Sequence, residues 1–139
     1  MMNQASYCKK LLFISSLSFF LSHYCLGQVT KKAYQTILAN NTDLVKIHIE
    51  GSNVEIKETK GSRILIETRI RLSVPNEALL SFVIENGRYK LVQTKDEPRR
   101  ELLLEEKKDK NVILVKGEAC IERISYTIYV PSFIKTTKT

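Results

Sequence analysis

Histidine, cysteine and glycine are scarce in this chain, and each scarcity removes a class of chemistry. Two histidines and three cysteines occur in 139 residues. His23, Cys8 and Cys25 fall in an N-terminal stretch with the character of a cleaved signal, so His48 and Cys120 stand alone in the remainder of the chain. A zinc site needs three or four protein ligands, which one His and one Cys cannot supply without carboxylates gathered from unrelated segments. Nucleophilic catalysis needs a base beside its nucleophile. No elbow or dyad motif surrounds any Ser or Cys, and only the tertiary fold could bring Cys120 to His48. Gly51, Gly61, Gly87 and Gly117 are scattered singly beside strand patterns, as turn residues are, so no glycine-rich phosphate cradle exists. Asp96-Glu97 and Glu105-Glu106 lack the spacing of a calcium loop. The sequence thus assigns no catalytic, cofactor-binding or metal-binding residue.

What is present begins with an export signal. Lys9-Lys10 precedes an apolar run, Leu11 to Leu21, about half the roughly 20 residues a membrane-spanning helix requires. Small side chains at Cys25 and Gly27 then mark a cleavage site, placed between Gly27 and Gln28. Two alternatives are a retained anchor helix and a lipoprotein acylated at Cys25, although His23 and Tyr24 stand where lipoprotein signals carry small residues. The expected destination is exported: periplasm, outer envelope or extracellular space. Cleavage removes Lys9 and Lys10 and lowers the net charge from +7 to +5. The remaining chain, about 112 residues, suffices for one small domain. Cys120 is left without an intramolecular disulfide partner and reads as a partly buried apolar residue, an intermolecular bridge being the alternative.

Residues 28–43 read as a polar lead-in segment. From Leu44 the pattern turns to period two, with Val45, Ile47 and Ile49 on one side and Lys46, His48 and Glu50 on the other, as a half-buried strand requires. Val54 and Ile56 suggest a second strand, and Ile64, Ile66, Thr68, Ile70 and Leu72 the inner face of a third. Tight turns between them predict an antiparallel meander. After Val74-Pro75 the period changes: Glu77, Ser81 and Glu85 fall four apart among apolar residues, predicting a short helix over 76–86 with one narrow wet stripe. Strand patterns resume at Arg88–Lys95, Glu101–Glu106, Val112–Lys116 and Ile121–Val130. The fold class expected is mainly β, an antiparallel meander or sandwich or the start of a β-solenoid, with residues 44–139 forming a single domain.

Charges of both signs are interleaved, as in Glu67-Thr68-Arg69-Ile70-Arg71, which argues against a nucleic-acid stripe. Basic turns at Arg99-Arg100 and at Lys107, Lys108 and Lys110 offer a contact surface for an anionic glycan or lipid surface, if the fold brings them together. Carboxylates at Glu97 and Glu101, or Glu105 and Glu106, keep open a hydrolase acting on envelope or extracellular glycans. His48, between Lys46 and Glu50, reads as a solvated strand residue.

The stretch Val45-Lys-Ile-His-Ile-Glu-Gly-Ser-Asn-Val-Glu-Ile-Lys-Glu-Thr-Lys-Gly-Ser-Arg-Ile-Leu-Ile-Glu-Thr68 resembles the opening of adhesin-type domains of secreted and surface bacterial proteins, the head-domain GIN type among them. Ser125-Tyr-Thr-Ile-Tyr-Val-Pro131 resembles their recurrent strand ending in Val-Pro. The resemblance covers most of residues 44–135 and implies a β-rich, exported, non-enzymatic protein, an adhesin-like binder or envelope scaffold of unknown ligand. It supplies no catalytic residues. In that family the chain continues beyond Val-Pro into short repeated strands, whereas this one ends eight residues after Pro131. Two expectations arise: a domain shortened at its C-terminus, with an exposed edge inviting self-association, or a complete small sandwich with a frayed tail.

Overall fold

The computed structural model describes residues 28–108 and 110–139. The signal-like segment and the expected cleavage at Gly27 lie outside the described residues. The described chain is mainly β with one short helix: β1 (Thr30–Leu38), β2 (Leu44–His48), β3 (Asn53–Thr59), β4 (Arg63–Leu72), α1 (Glu77–Glu85), β5 (Val92–Asp96), β6 (Glu101–Glu105), β7 (Leu114–Val115), β8 (Glu118–Ala119), β9 (Glu122–Pro131) and β10 (Lys135–Lys138). Two four-stranded sheets, in the orders β1-β4-β9-β3 and β10-β2-β6-β5, are accompanied by the β7-β8 hairpin.

Period-two sequence makes one face of each strand apolar, and the two sheets bury those faces against each other. Ile64 and Ile66 of β4 and Tyr126, Ile128 and Val130 of β9 meet Val45 and Ile47 of β2 and Leu102 and Leu104 of β6. At ten residues each, β4 and β9 also serve a second apolar cluster. There Ile70 and Leu72 pack with Leu80 and Val83 of α1 and with Ile113 and Cys120 flanking the hairpin strands. The first sheet therefore has two covers on one side, a sheet at one end and a helix with a hairpin at the other, and its opposite side faces solvent.

The tertiary pairing corrects three expectations. Residues 28–43 are not a lead-in, since β1 runs antiparallel to β4 over nine residue pairs. Its inward face carries Lys31 and Gln35, which obscures the alternation. Both are satisfied: Lys31 donates to Ser81 Oγ at 2.7 Å, and the Gln35 amide exchanges hydrogen bonds with the backbone of Leu91. Nor do β2, β3 and β4 form a meander. β2 lies in the second sheet, parallel to β6, while β3 joins the first sheet parallel to β9, with β9 between it and β4. Parallel neighbours far apart in the chain leave no local signal. Finally, α1 buries one face only, through Leu80 and Val83, and Phe82 is exposed instead of covered. Asn76 caps the helix by accepting from the Leu79 N–H at 2.9 Å.

The inward face of β9 is covered by β2 and β6, and β9 has neighbours on both sides. After Pro131 the chain turns through exposed Phe133 and adds β10 as a parallel edge beside β2. Cys120 is a free, buried thiol.

Candidate functional site

The solvent side of the first sheet follows from the alternation that builds its core. With Ile64, Ile66, Thr68, Ile70 and Leu72 of β4 turned inward, Glu67, Arg69 and Arg71 are turned outward. By the same parity β9 presents Arg123, Ser125, Thr127 and Tyr129, β1 presents Lys32 and Tyr34, and β3 presents Glu55 and Lys57. The register sets these in rows across the sheet, placing Arg71 directly opposite Arg123 and Arg69 opposite Ser125.

Its two carboxylates are engaged away from that arginine pair. Glu67 binds Lys32 at 2.9 Å and lies 3.7 Å from Arg69, and Glu55 pairs with Lys57 at 3.2 Å. The hydrogen bond from Lys32 holds the Glu67 carboxyl below the usual carboxylate range, against the opposing effect of desolvation. Arg71 contacts the Thr30 hydroxyl at 3.3 Å, and neither Arg71 nor Arg123 forms an ion pair among the described residues. Like charges directly opposite on one face destabilise a sheet. The pair borders a depression of about 240 Å³, shaped also by Thr30, Arg69 and Ser125. Arg69 and Ser125 are shared with a neighbouring depression of about 340 Å³, where Lys57 lies 6.0 Å from the Tyr129 ring centre. Together these make a shallow basic groove with an aromatic wall. Planar guanidinium groups bind carboxylate, phosphate or sulfate through paired hydrogen bonds.

The basic turns singled out from sequence are not brought together. Arg99 and Arg100 close the β5–β6 turn, whereas Lys107, Lys108 and Lys110 follow the other end of β6, roughly 15–20 Å away at the rise of a strand. Several are also engaged: Arg99 lies 3.7 Å from Asp96, Arg100 3.0 Å from Asp43 and Lys110 3.9 Å from Glu106, while Lys107 donates to the Gly87 carbonyl at 2.9 Å. The single-patch reading is therefore replaced by the sheet face.

Of the carboxylates considered for hydrolysis, Glu105 and Glu106 border one open depression, whereas Glu97 and Glu101 lie toward the other end of β6. Glu97 meets Lys95 at 2.9 Å, Glu101 meets Lys46 at 2.6 Å, and Glu106 accepts from Ser52 at 3.0 Å. His48 is part-exposed, 3.4 Å from Glu50, in an open depression lined also by Glu105, Glu106, Lys107 and Lys108. Among the described residues, no Ser, Thr or Cys side chain lines that depression. Among the described residues, no group of three or more His, Cys, Asp or Glu could hold a metal ion.

One polar network lies beneath the surface, beside α1. The Arg88 guanidinium grips both oxygens of Glu122, with Nε at 3.0 Å, and donates to the Asn111 carbonyl at 2.7 Å. Burial is the largest single influence on Glu122 and opposes its ionisation, but the hydrogen bonding and charge of Arg88, with Tyr89 and Lys110, together outweigh it and lower the carboxyl's pKa. The buried hydroxyls of Tyr89 and Tyr126 have no hydrogen-bond partner among the described residues, and burial raises the pKa of each. This network joins the end of α1 to the start of β9.

No protein-family model, curated protein or solved structure matches the chain. The likeness of residues 45–68 and 125–131 to adhesin-type domains stays a likeness of pattern. The reading of function rests on the geometry.

Proposed function

We propose that this chain is an exported, non-enzymatic β domain that binds an anionic surface through the outward face of its first sheet, in an adhesin-like or envelope-scaffold role. The observation that carries the reading is the opposition of Arg71 and Arg123 across β4 and β9, with Arg69 two residues along β4 from Arg71 and diagonal to Arg123, and no carboxylate paired with Arg71 or Arg123 among the described residues. Such a row costs stability, and an arriving anion would relieve it. The apolar run at Leu11–Leu21 and the small residues near Gly27 support export.

The test is retention of the mature protein on immobilised polyphosphate across a salt gradient. Retention should be lost as salt rises, because exposed charges are screened beyond about 10 Å at 0.1 M ionic strength. Arg71→Gln with Arg123→Gln should elute at markedly lower salt. Arg99→Gln with Arg100→Gln, an identical change in net charge, should elute like the unaltered protein. Equal shifts in the two doubles would mean that net charge alone governs binding and would remove the site. Export is checked separately, by finding the cleaved protein outside the cytoplasm of the native cells.

A further inference from the structure

The β7–β8 hairpin carries exposed apolar side chains on its outer face. Leu114 stands opposite Ala119, and the bond from the Cys120 N–H to the Ile113 carbonyl at 2.8 Å extends the register so that Val112 faces Ile121. Val112, Leu114 and Ile121 are each about two-thirds exposed (66%, 65% and 65%), while Ile113 and Cys120, on the alternate side, are buried in the second core cluster. The hairpin thus has an apolar inner face that the fold needs and an apolar outer face that the core does not use.

That outer face continues into the arginine row. The Ser73 N–H donates to the Ile121 carbonyl at 3.0 Å, adding one step to the pairing that places Leu72 opposite Glu122 and Arg71 opposite Arg123. Moving from the hairpin tip along this side, one meets Leu114 with Ala119, then Val112 with Ile121, then Arg71 with Arg123, then Arg69. Steps of two residues advance about 7 Å along a strand. The arginine positions therefore begin about 7 Å along the strand from the last apolar position, and interfacial apolar faces enter a bilayer by about 5–10 Å, to the boundary of headgroups and acyl chains. At the tip, Lys116 and Gly117 adopt left-handed conformations (φ 54° and 84°), and Lys116 and Glu118 offset each other in charge.

We propose that the anionic surface is a phospholipid bilayer, with Val112, Leu114 and Ile121 seated among the headgroups while Arg71, Arg123 and Arg69 bind lipid phosphate. This rests on the proposed anion-binding role of the sheet face and adds the apolar component, which a soluble polyanion would not require. The spacing of the apolar and cationic rows matches the order of acyl chain and phosphate in a leaflet.

The experiment is co-sedimentation of the mature protein with vesicles of phosphatidylcholine alone and of phosphatidylcholine and phosphatidylglycerol in equal parts, beside retention on polyphosphate. The unaltered protein should bind the anionic vesicles and polyphosphate. The triple variant Val112→Ser, Leu114→Ser, Ile121→Ser changes only exposed positions; it should lose vesicle binding by on the order of tenfold or more and keep polyphosphate retention. Arg71→Gln with Arg123→Gln should lose both. Retention on polyphosphate without vesicle binding, or a triple variant that binds vesicles undiminished, would overturn the membrane proposal and leave the anion-binding reading standing. Failure to bind either would overturn both. Sedimentation velocity closes the remaining route: the unaltered protein should be monomeric, and a dimer dissolved by the triple variant would assign the apolar face to self-association instead.

Discussion

Reversing one charge of the opposed arginine pair should strengthen the fold while weakening the binding. In Arg123→Glu the repulsion with Arg71 becomes an attraction at the same cross-strand position, without altering the inward side of β9. Opposite charges across a sheet contribute roughly 0.2–1 kcal/mol and like charges cost a similar amount. The swing at low salt is therefore about 0.5–1.5 kcal/mol, held to that range because both side chains are exposed and screened by solvent. For a domain of this size, a change of about 1 kcal/mol moves the melting temperature by roughly 4 °C. Urea unfolding at low ionic strength should therefore show a raised midpoint for Arg123→Glu and an intermediate gain for Arg123→Gln. At high salt the differences should collapse, because the cause is Coulombic. The same variants should lose polyphosphate retention in the same order. A glutamate variant that is less stable at low salt, or a gain that persists undiminished at high salt, would refute the claim that the pair is held in unfavourable opposition. Surface substitutions in general sit within about 0.5 kcal/mol of neutral, so a salt-sensitive gain coupled to loss of binding separates a functional charge row from an incidental one.

Four other substitutions address the scaffold. Arg88→Met strips the Glu122 carboxylate of its bidentate partner at side-chain exposures of 16% and 15%, and should cost about 3–5 kcal/mol in chemical denaturation. The same ion pair gives a pH signature. Because folding lowers the Glu122 pKa, its contribution is complete above the ordinary carboxylate value of 4.5 and is lost as pH falls through the lower folded value. Glu122→Gln should therefore flatten the acid side of the stability profile. Ile66→Ala, at a fully buried position between the sheets, should cost about 2–5 kcal/mol and lower the urea midpoint without changing polyphosphate retention per folded molecule. Asn76→Ala removes the acceptor for the Leu79 N–H and should cost about 1 kcal/mol by thermal melting, with α1 as the element that loosens.

The alternation of residues within each strand was a local property, and so it could be read without the fold. Val45 and Ile47, the Ile64-to-Leu72 series and the Tyr126-to-Val130 series appear on the inner faces that their spacing implied, and the switch to a four-residue period after Pro75 marked α1. From the same alternation the outward position of Arg69 and Arg123 could be read, and Arg71 follows by parity; that the last two would stand opposite each other could not. Pairing is a relation between distant segments, and nothing in the sequence near Arg71 specifies that β9, and not β3, is the neighbour of β4. A tight turn after β2 made a meander the economical expectation, yet burying both apolar faces required β2 to leave for the second sheet and β3 to lie parallel to β9. β1 escaped notice because its inward Lys31 and Gln35 are satisfied by groups on α1 and at Leu91 that only folding brings near. The sequence by itself determined which residues each strand would hide, because burial repeats with the pleat. Only the tertiary structure decided which strands would be neighbours, and hence that two arginines would share a row behind an apolar hairpin, because that depends on how two covers of different kinds divide the length of one sheet.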